Sequence, residues 1–184
     1  MSKDTALSLI IDALAFAADK HRDQRRKDKG ASPYIIHPVT LAHILATEGE
    51  ITDPIAIAGA LLHDTIEDTE TTYEELVERF GKQVADVVME CTDDKSLPKA
   101  ERKELQVEHA PHMSPAAKLV KIADKTANLR DVASHPPADW TRARRSEYAN
   151  WAKRVVSGLG PMNPTLEASF AKAYADVIAS ASEG

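Results

Sequence analysis

One segment of the sequence places four ionisable side chains within six positions, directly after an apolar run: His63, Asp64, Glu67 and Asp68. In a helix, His63 and Glu67 would share a face, because residues four apart are neighbours on a helix surface, and Asp64 would meet Asp68 in the same way. Placing such a cluster beside apolar side chains costs free energy, which a divalent cation offsets by pairing with carboxylates and imidazole nitrogen. The segment therefore indicates either a metal site or a solvated helix end with acids and one exposed histidine.

Two further residues could complete a ligand set. His37 has prolines nearby on both sides, and proline restricts the backbone, which would fix the direction of the imidazole. Asp124 follows an apolar run, so we expect its carboxylate to be partly buried and to need partners, which neighbouring lysines could also supply. Together with His63 and Asp64 they form a mixed nitrogen and oxygen set. Such a set suits one harder divalent ion such as Mn²⁺, with positions left for water, better than structural zinc.

A second cluster is basic. Residues 22–29 carry five Arg or Lys against two Asp, in a chain whose formal net charge is −6. Arginine suits phosphate through its planar fork of donors and lysine as a point charge. The alternative is a solvated helix end whose basic residues lie near its negative dipole. A smaller basic group lies at a predicted helix start beside Tyr148 and consists of Arg142, Arg144 and Arg145. Most side chains in such a group are usually solvated and have no binding role.

Helical periodicity dominates the elements that must position these residues. Leu7, Ile10, Ile11, Leu14 and Ala18 are spaced to share one helical face. Further helix starts are marked by a capping residue beside proline or by a capping box, and Gly81 is a candidate C-cap. These starts are Asp53-Pro54, Thr72 with Glu75, Ser114-Pro115, Trp140-Thr141 and Asn163-Pro164.

Strand signals are nearly absent, and the only short candidate is Tyr34-Ile35-Ile36. Polar stretches at 21–32, 92–100, 108–115 and 134–139 are expected to be loops or ragged helix ends. We therefore predict an all-α fold, a single compact domain over residues 1–184 with about seven to nine helices.

Composition narrows the function classes. The chain has 184 residues, with 29 acidic against 23 basic side chains, so binding of a nucleic-acid polymer is not expected. One cysteine, Cys91, excludes an internal disulfide framework and a cysteine-based zinc site. Neither a signal peptide nor an apolar run long enough to span a membrane is recognisable. We expect a cytoplasmic protein that does not bind a membrane. The sequence does not predict its oligomeric state.

The order of His37, then His63-Asp64, then Asp124 resembles the histidine–aspartate (HD) phosphohydrolase superfamily. More narrowly, the chain is similar to the hydrolase domain of the RelA/SpoT family, in particular to its stand-alone small alarmone hydrolases, which include the animal SpoT homologue. The resemblance runs over nearly the whole chain. The motifs that carry it are Arg26-Lys27, Pro33-Tyr34-Ile35-Ile36-His37-Pro38, His63-Asp64-Thr65-Ile66-Glu67-Asp68-Thr69 and Lys121-Ile122-Ala123-Asp124-Lys125-Thr126-Ala127-Asn128-Leu129-Arg130.

This resemblance implies an HD-type helical domain that holds one Mn²⁺ ion and acts on a small phosphorylated nucleotide. The implied reaction removes the 3′-pyrophosphate of guanosine tetraphosphate or pentaphosphate and releases GDP or GTP with pyrophosphate. The implied metal ligands are His37, His63, Asp64 and Asp124, and the implied catalytic carboxylates are Glu67 and Asp68. The implied substrate-binding residues are Arg26, Lys27, Asn128, Arg144 and Tyr148.

Two other functions remain open from the sequence. The same site could cleave another nucleotide, such as an adenosine alarmone or the 2′-phosphate of NADPH. The chain could also be a catalytically silent nucleotide sensor. Loss of one or more metal ligands from the sequence would favour that function, but every implied ligand and catalytic acid is present.

Overall fold

The structure is a computed structural model that describes residues 3–26 and 30–182, with the side chains of residues 3 and 4 excepted. Over those ranges the chain forms ten α-helices and no β-strand. They are α1 (Lys3–Lys20), α2 (Ile36–His43), α3 (Pro54–Leu62), α4 (Thr65–Asp68), α5 (Tyr73–Phe80), α6 (Lys82–Cys91), α7 (Lys99–His109), α8 (Pro115–Ser134), α9 (Arg142–Gly158) and α10 (Pro164–Ser182). Because α4 is a single turn, nine of the described helices are longer, and the predicted all-α domain is confirmed.

The predicted helix starts are present, and side-chain caps explain them. Asp53 accepts the backbone N–H of Ile55 at 2.9 Å, immediately before Pro54 opens α3. Thr72, Ser114, Thr141 and Asn163 likewise cap α5, α8, α9 and α10. Gly81 ends α5 with φ +84°, a backbone conformation that glycine adopts without the strain of a side chain.

The apolar face predicted for α1 is wrong in part. Leu7 and Ile11 are exposed, by 61% and 52% of their surface, whereas Ala13, Phe16 and Ala17 are buried. The Phe16 ring packs edge-on against Phe80, with 5.3 Å between ring centroids. The helix therefore faces the core with one large ring and two small residues that let it lie close to α3, a choice of face that spacing alone does not determine.

Helix α3 lies at the centre of the domain. It is apolar all round and seven of its nine residues are buried, as expected of a helix enclosed by others. At Gly59 a Cβ atom would lie 2.5 Å from Cγ1 of Val87, so this glycine permits the close approach of α3 to α6. Two apolar clusters meet here, one with α1, α5 and α6 and the other with α2, α8, α9 and α10.

Two helices were missed by the sequence reasoning, α2 and α7. The segment predicted as a strand is instead a turn at Tyr34 and Ile35 that leads into α2, and an isolated bridge pairs Arg25 with Pro33. His37 accordingly lies in the first turn of α2, with Pro38 beside it where a proline costs no helical hydrogen bond. Helix α7 buries none of its residues, so it has no apolar periodicity to detect. Over the described part of the chain, no helix is both long enough and apolar enough to cross a membrane.

Candidate metal and nucleotide site

Three helices bring together side chains that are far apart in the sequence. His37 projects from the first turn of α2, His63 caps the C-terminus of α3, and Asp124 lies in the middle of α8. One donor atom from each residue lies within 4.8 Å of the other two, and the two imidazole centroids are 5.2 Å apart. These donor atoms form a candidate site for a divalent metal ion.

The hydrogen bonds of His63 fix the role of its two ring nitrogens. Nδ1 lies 2.9 Å from the carbonyl oxygen of Ala60, which can only accept, so Nδ1 carries the proton. Nε2 then carries a lone pair and can only accept. It lies 2.9 Å from Oδ2 of Asp64, which is also an acceptor. Two buried acceptors in contact repel unless a cation or a proton lies between them. Burial opposes protonation of His63, but the Asp64 carboxylate outweighs it and raises the pKa of the ring. This donor set therefore fits a metal ion.

Asp124 has close partners at both carboxylate oxygens. Its Oδ1 lies 3.2 Å from Nε2 of His37 and accepts the Asn128 amide at 2.6 Å, while Oδ2 accepts the Lys125 ammonium at 2.9 Å. Burial alone would raise the pKa of Asp124, but Lys125 and His37 hold it well below its usual range. Lys125 in turn lies 4.5 Å from the centroid of the Trp151 ring. The carboxylate is therefore ionised and oriented before any ligand arrives.

Asp64 lies beside this trio. It accepts a hydrogen bond from the Tyr34 hydroxyl, and its pKa is lowered because His63 outweighs the effect of burial. As expected, His63 and Asp64 lie at the C-terminal end of the apolar helix: α3 ends at Leu62, and the single turn α4 begins after Asp64, whose φ is −101°. That break directs Asp64 towards His63 instead of leaving it in register with the preceding helix.

The two carboxylates of α4 have different partners. Glu67 accepts the backbone N–H of Asp93 at its Oε2, at 3.0 Å, and its Oε1 lies 4.0 Å from the Arg102 guanidinium. Burial raises the pKa of Glu67 despite the hydrogen bond from Asp93. Asp68 is held at both oxygens, by the Lys95 ammonium at Oδ1 and by the Gln24 amide at Oδ2.

Three cavities adjoin this cluster and share lining residues. The acidic cavity, about 470 Å³, is lined by His63, Asp64, Glu67, Asp68 and Asp124 among others. The aromatic cavity, about 440 Å³, is lined by Trp140 and Tyr148, and shares Arg26, His37 and Asn128 with the acidic cavity. A third, about 470 Å³, is lined by Lys99, Arg102, Lys103, Arg144 and Trp151, and we name it the basic cavity.

The implied nucleotide-binding residues are distributed over these cavities. Arg26 pairs with Asp131 at 2.5 Å, and Asn128 separates the acidic from the aromatic cavity. Tyr148 lines both the aromatic and the basic cavity, whereas Arg144 lines only the basic one and lies 4.8 Å from the Trp140 ring centroid. Lys27 lies outside the described residues.

Comparison with known proteins places the chain in a family. The profile of the HD domain matches residues 13–155. The chain belongs to the HD-domain family. The guanosine-3′,5′-bis(diphosphate) 3′-pyrophosphohydrolase MESH1 of Xenopus tropicalis is 53% identical over 176 residues, which are 96% of this chain and 97% of that protein. The human protein of the same name is 55% identical over 158 residues, 86% of this chain and 88% of its own length.

Solved structures agree with this HD-domain assignment. A structure described as a metazoan ortholog of SpoT that hydrolyzes ppGpp and plays a role in starvation responses matches with a TM-score of 0.87 and 45% identity. That match covers 91% of this chain and 94% of the other. A protein of Listeria monocytogenes EGD-e matches with a TM-score of 0.64 and 28% identity, covering 78% of this chain and 99% of the other.

Several residues of this HD-domain site were not singled out by sequence reasoning. Tyr34 was noted within its motif but given no role, although it contacts Asp64, and Gln24 was hidden among basic neighbours. Lys125, which donates to Asp124, is one of the neighbouring lysines that the sequence offers only as an ordinary alternative to a metal. No spacing rule identifies such supporting residues, because their contacts depend on how separate helices pack.

Proposed function

We propose that this chain hydrolyses the 3′-pyrophosphate of guanosine tetraphosphate or pentaphosphate, giving GDP or GTP and pyrophosphate. The observation that carries the proposal is a match over nearly the full length of both chains to proteins named for that reaction. The convergence of His37, His63 and Asp124 beside two acidic side chains supports it, because phosphoanhydride and phosphoester cleavage needs a nucleophilic water and positive charge.

We propose that one Mn²⁺ ion is held by His37, His63, Asp64 and Asp124. When bound, a divalent ion lowers the pKa of a water molecule and offsets the negative charge of a phosphate group. The protein fixes the direction of the ligands: Ala60 sets the tautomer of His63, and Tyr34 holds the Asp64 carboxylate.

The two carboxylates of α4 take different roles in this proposal. Glu67 has one oxygen, Oε2, engaged by a backbone N–H, while Oε1 has only a distant guanidinium at 4.0 Å, so Oε1 accepts the proton of the attacking water. Asp68 has both oxygens engaged and orients the water or the substrate instead.

In this proposal the nucleotide spans the three cavities. Arg26 and Asn128 lie where the acidic and aromatic cavities meet and contact the sugar and phosphates there. Tyr148 packs against the nucleoside, and Arg144 provides positive charge in the basic cavity. Lys27, which lies outside the described residues, is assigned phosphate binding on its residue type and on the Arg26-Lys27 motif alone.

The test is a product analysis on guanosine tetraphosphate with purified protein and added Mn²⁺. We expect pyrophosphate and GDP in equal amounts, and no turnover with excess chelator. Release of orthophosphate, or equal kcat/KM on NADPH or an adenosine alarmone assayed in parallel, would contradict the proposed substrate. Absence of any metal-dependent turnover would favour the silent nucleotide sensor.

We also propose that residues 1–184 form one catalytic domain that acts in the cytoplasm. Helix α10 lies beyond the residues matched to the HD-domain profile, yet Leu166, Phe170, Ala173 and Val177 are buried in the same core as α8. A chain that ends before α10 should fail to fold cooperatively in thermal denaturation. Cell fractionation should recover the protein with cytoplasmic markers, and enrichment in any organelle fraction would contradict the localisation.

A further inference from the structure

The segment that follows α1 contacts the active site through a glutamine. Gln24 donates from its amide Nε2 to Oδ2 of Asp68 at 3.2 Å. Its Oε1 lies 2.5 Å from Nδ1 of His21, a ring that is only 1% exposed. The three side chains form one line from a buried histidine to a carboxylate of the acidic cavity, and neither His21 nor Gln24 has a role in the reaction described above.

The chemistry of the partners fixes the direction of each hydrogen bond. An ionised carboxylate only accepts, so Gln24 must present its NH₂ group to Asp68 and its carbonyl oxygen to His21. His21 must then carry its proton on Nδ1, which leaves Nε2 as a lone pair. Nε2 of His21 is buried and has no hydrogen-bond partner among the described residues, so the ring is held by Gln24 and by packing against Tyr34, with centroids 4.9 Å apart.

The two partners of Asp68 differ in exposure. Lys95 lies in the segment between α6 and α7, and its side chain is 50% exposed, so its ammonium is free to exchange towards water or a phosphate. Gln24 is half-buried and is anchored at its other end. The backbone supports it as well: the Gln24 N–H donates to the His21 carbonyl oxygen and the Tyr34 N–H donates to the Gln24 carbonyl oxygen, both at 3.0 Å.

We propose that Gln24 is a positioning residue that fixes the Asp68 carboxylate in the geometry needed for hydrolysis, and that His21 in turn fixes Gln24. This inference rests on the proposed role of Asp68. When Lys95 moves to a substrate phosphate, the Gln24 amide keeps Asp68 in place. A displaced carboxylate would leave substrate binding largely intact and slow the chemical step, because small misplacements of reacting groups lower the rate by up to about 100-fold.

The experiment compares Gln24→Leu, which keeps the approximate size but cannot donate, with Gln83→Leu as a matched control. Gln83 lies exposed on α6 and is not among the residues that line the three cavities. We expect Gln24→Leu to lower kcat about 10- to 100-fold, with KM and Mn²⁺ stoichiometry within about twofold of the parent protein. Gln83→Leu should leave kcat unchanged. Parent-like kcat in Gln24→Leu, or a loss confined to KM, would overturn the proposal.

A double-mutant cycle separates positioning from direct contact with the substrate. In an Asp68→Asn background, Gln24→Leu should change kcat by less than about twofold, because the group through which it acts is already impaired. Full additivity of the two losses would overturn the inference. If Asp68→Asn alone keeps parent kcat, the role of Asp68 itself is wrong, which is a different failure from an active Gln24→Leu.

Substitutions at His21 test the hydrogen bond between His21 and Gln24. They also allow the proposal to be tested if Gln24→Leu does not fold. His21→Phe keeps the ring against Tyr34 but removes the Nδ1 donor, and His21→Asn keeps a donor close to the Nδ1 position. We expect His21→Phe to lower kcat about 3- to 10-fold, less than loss of Gln24 itself. His21→Asn should restore part of that loss. Equal activity of the two variants would show that the donor is irrelevant and overturn the role given to His21.

Discussion

Tyr34→Phe removes one hydroxyl from the proposed metal site and leaves the ring in place. That hydroxyl donates to the buried Asp64 carboxylate, and hydrogen bonds to charged acceptors contribute about 1.5–3 kcal/mol. Because the same bond holds Asp64 in the metal-free protein, only part of that free energy is expressed as metal affinity. We expect Mn²⁺ affinity to fall roughly tenfold, at the lower end of the 10- to 100-fold range typical of residues that orient ligands.

The assay is a competition titration of Mn²⁺ against a fluorescent chelator. The matched control is Tyr73→Phe, since the Tyr73 hydroxyl also donates to a carboxylate, Asp86, at 2.7 Å, but away from the site. Tyr73→Phe should leave metal affinity unchanged. Unchanged affinity in Tyr34→Phe would refute the reasoning that Asp64 is a ligand held in place by this hydroxyl.

Three further predictions concern the division of roles between Asp64 and Glu67, the packing at Gly59 and the hydrogen-bond partners of Glu48. Asp64→Ala should abolish Mn²⁺ binding, whereas Glu67→Ala should keep it and lose about two to four decades in kcat, and equal loss of metal and turnover in Glu67→Ala would refute that division of roles. Gly59→Ala should lower the free energy of unfolding by about 1–3 kcal/mol, since the new Cβ would lie 2.5 Å from Cγ1 of Val87, and Gly59→Ala with Val87→Ala should recover part of it in thermal denaturation. Arg130 and Ser169 lower the pKa of Glu48 from its ordinary 4.5 to about 2, so this carboxylate stabilises the fold fully above pH 4.5 and loses that effect as the pH falls towards 2. Glu48→Gln should therefore flatten the acid limb of stability against pH over that interval, and an unchanged acid limb would contradict the pairing.

Helix boundaries marked by caps were predictable because capping is local chemistry. Asp53 and Asn163 satisfy the backbone N–H groups that follow them whatever the rest of the chain does. The candidate ligands were recognisable for a related reason, because residue types and their order along the chain can be read from the sequence without knowing how the helices pack. The distances between them were not predictable, because His37, His63 and Asp124 meet only when α2, α3 and α8 pack together.

The misses have physical causes as well. Helix α7 has no fully buried residue: Val107 packs only partly buried against the core, and the helix contributes polar contacts as well. Gln106 donates to both Asp93 oxygens at 2.9 and 2.8 Å, and an Arg102 nitrogen lies 4.0 Å from Glu67 Oε1. A search for hydrophobic periodicity therefore does not predict such a helix. The face of α1 was misjudged for the opposite reason, because spacing shows which residues share a face and not how closely a neighbour packs against it.

We propose above that four side chains from three separate parts of the sequence, His37, His63, Asp64 and Asp124, bind a single Mn²⁺ ion. The most direct measurement is anomalous diffraction at the manganese edge from crystals of the Mn²⁺-loaded protein. We predict one strong peak per chain, within bonding distance of the Nε2 atoms of both histidines and of an oxygen of each aspartate. A peak located elsewhere, or one that leaves His37 or Asp124 out of its coordination, would contradict the account.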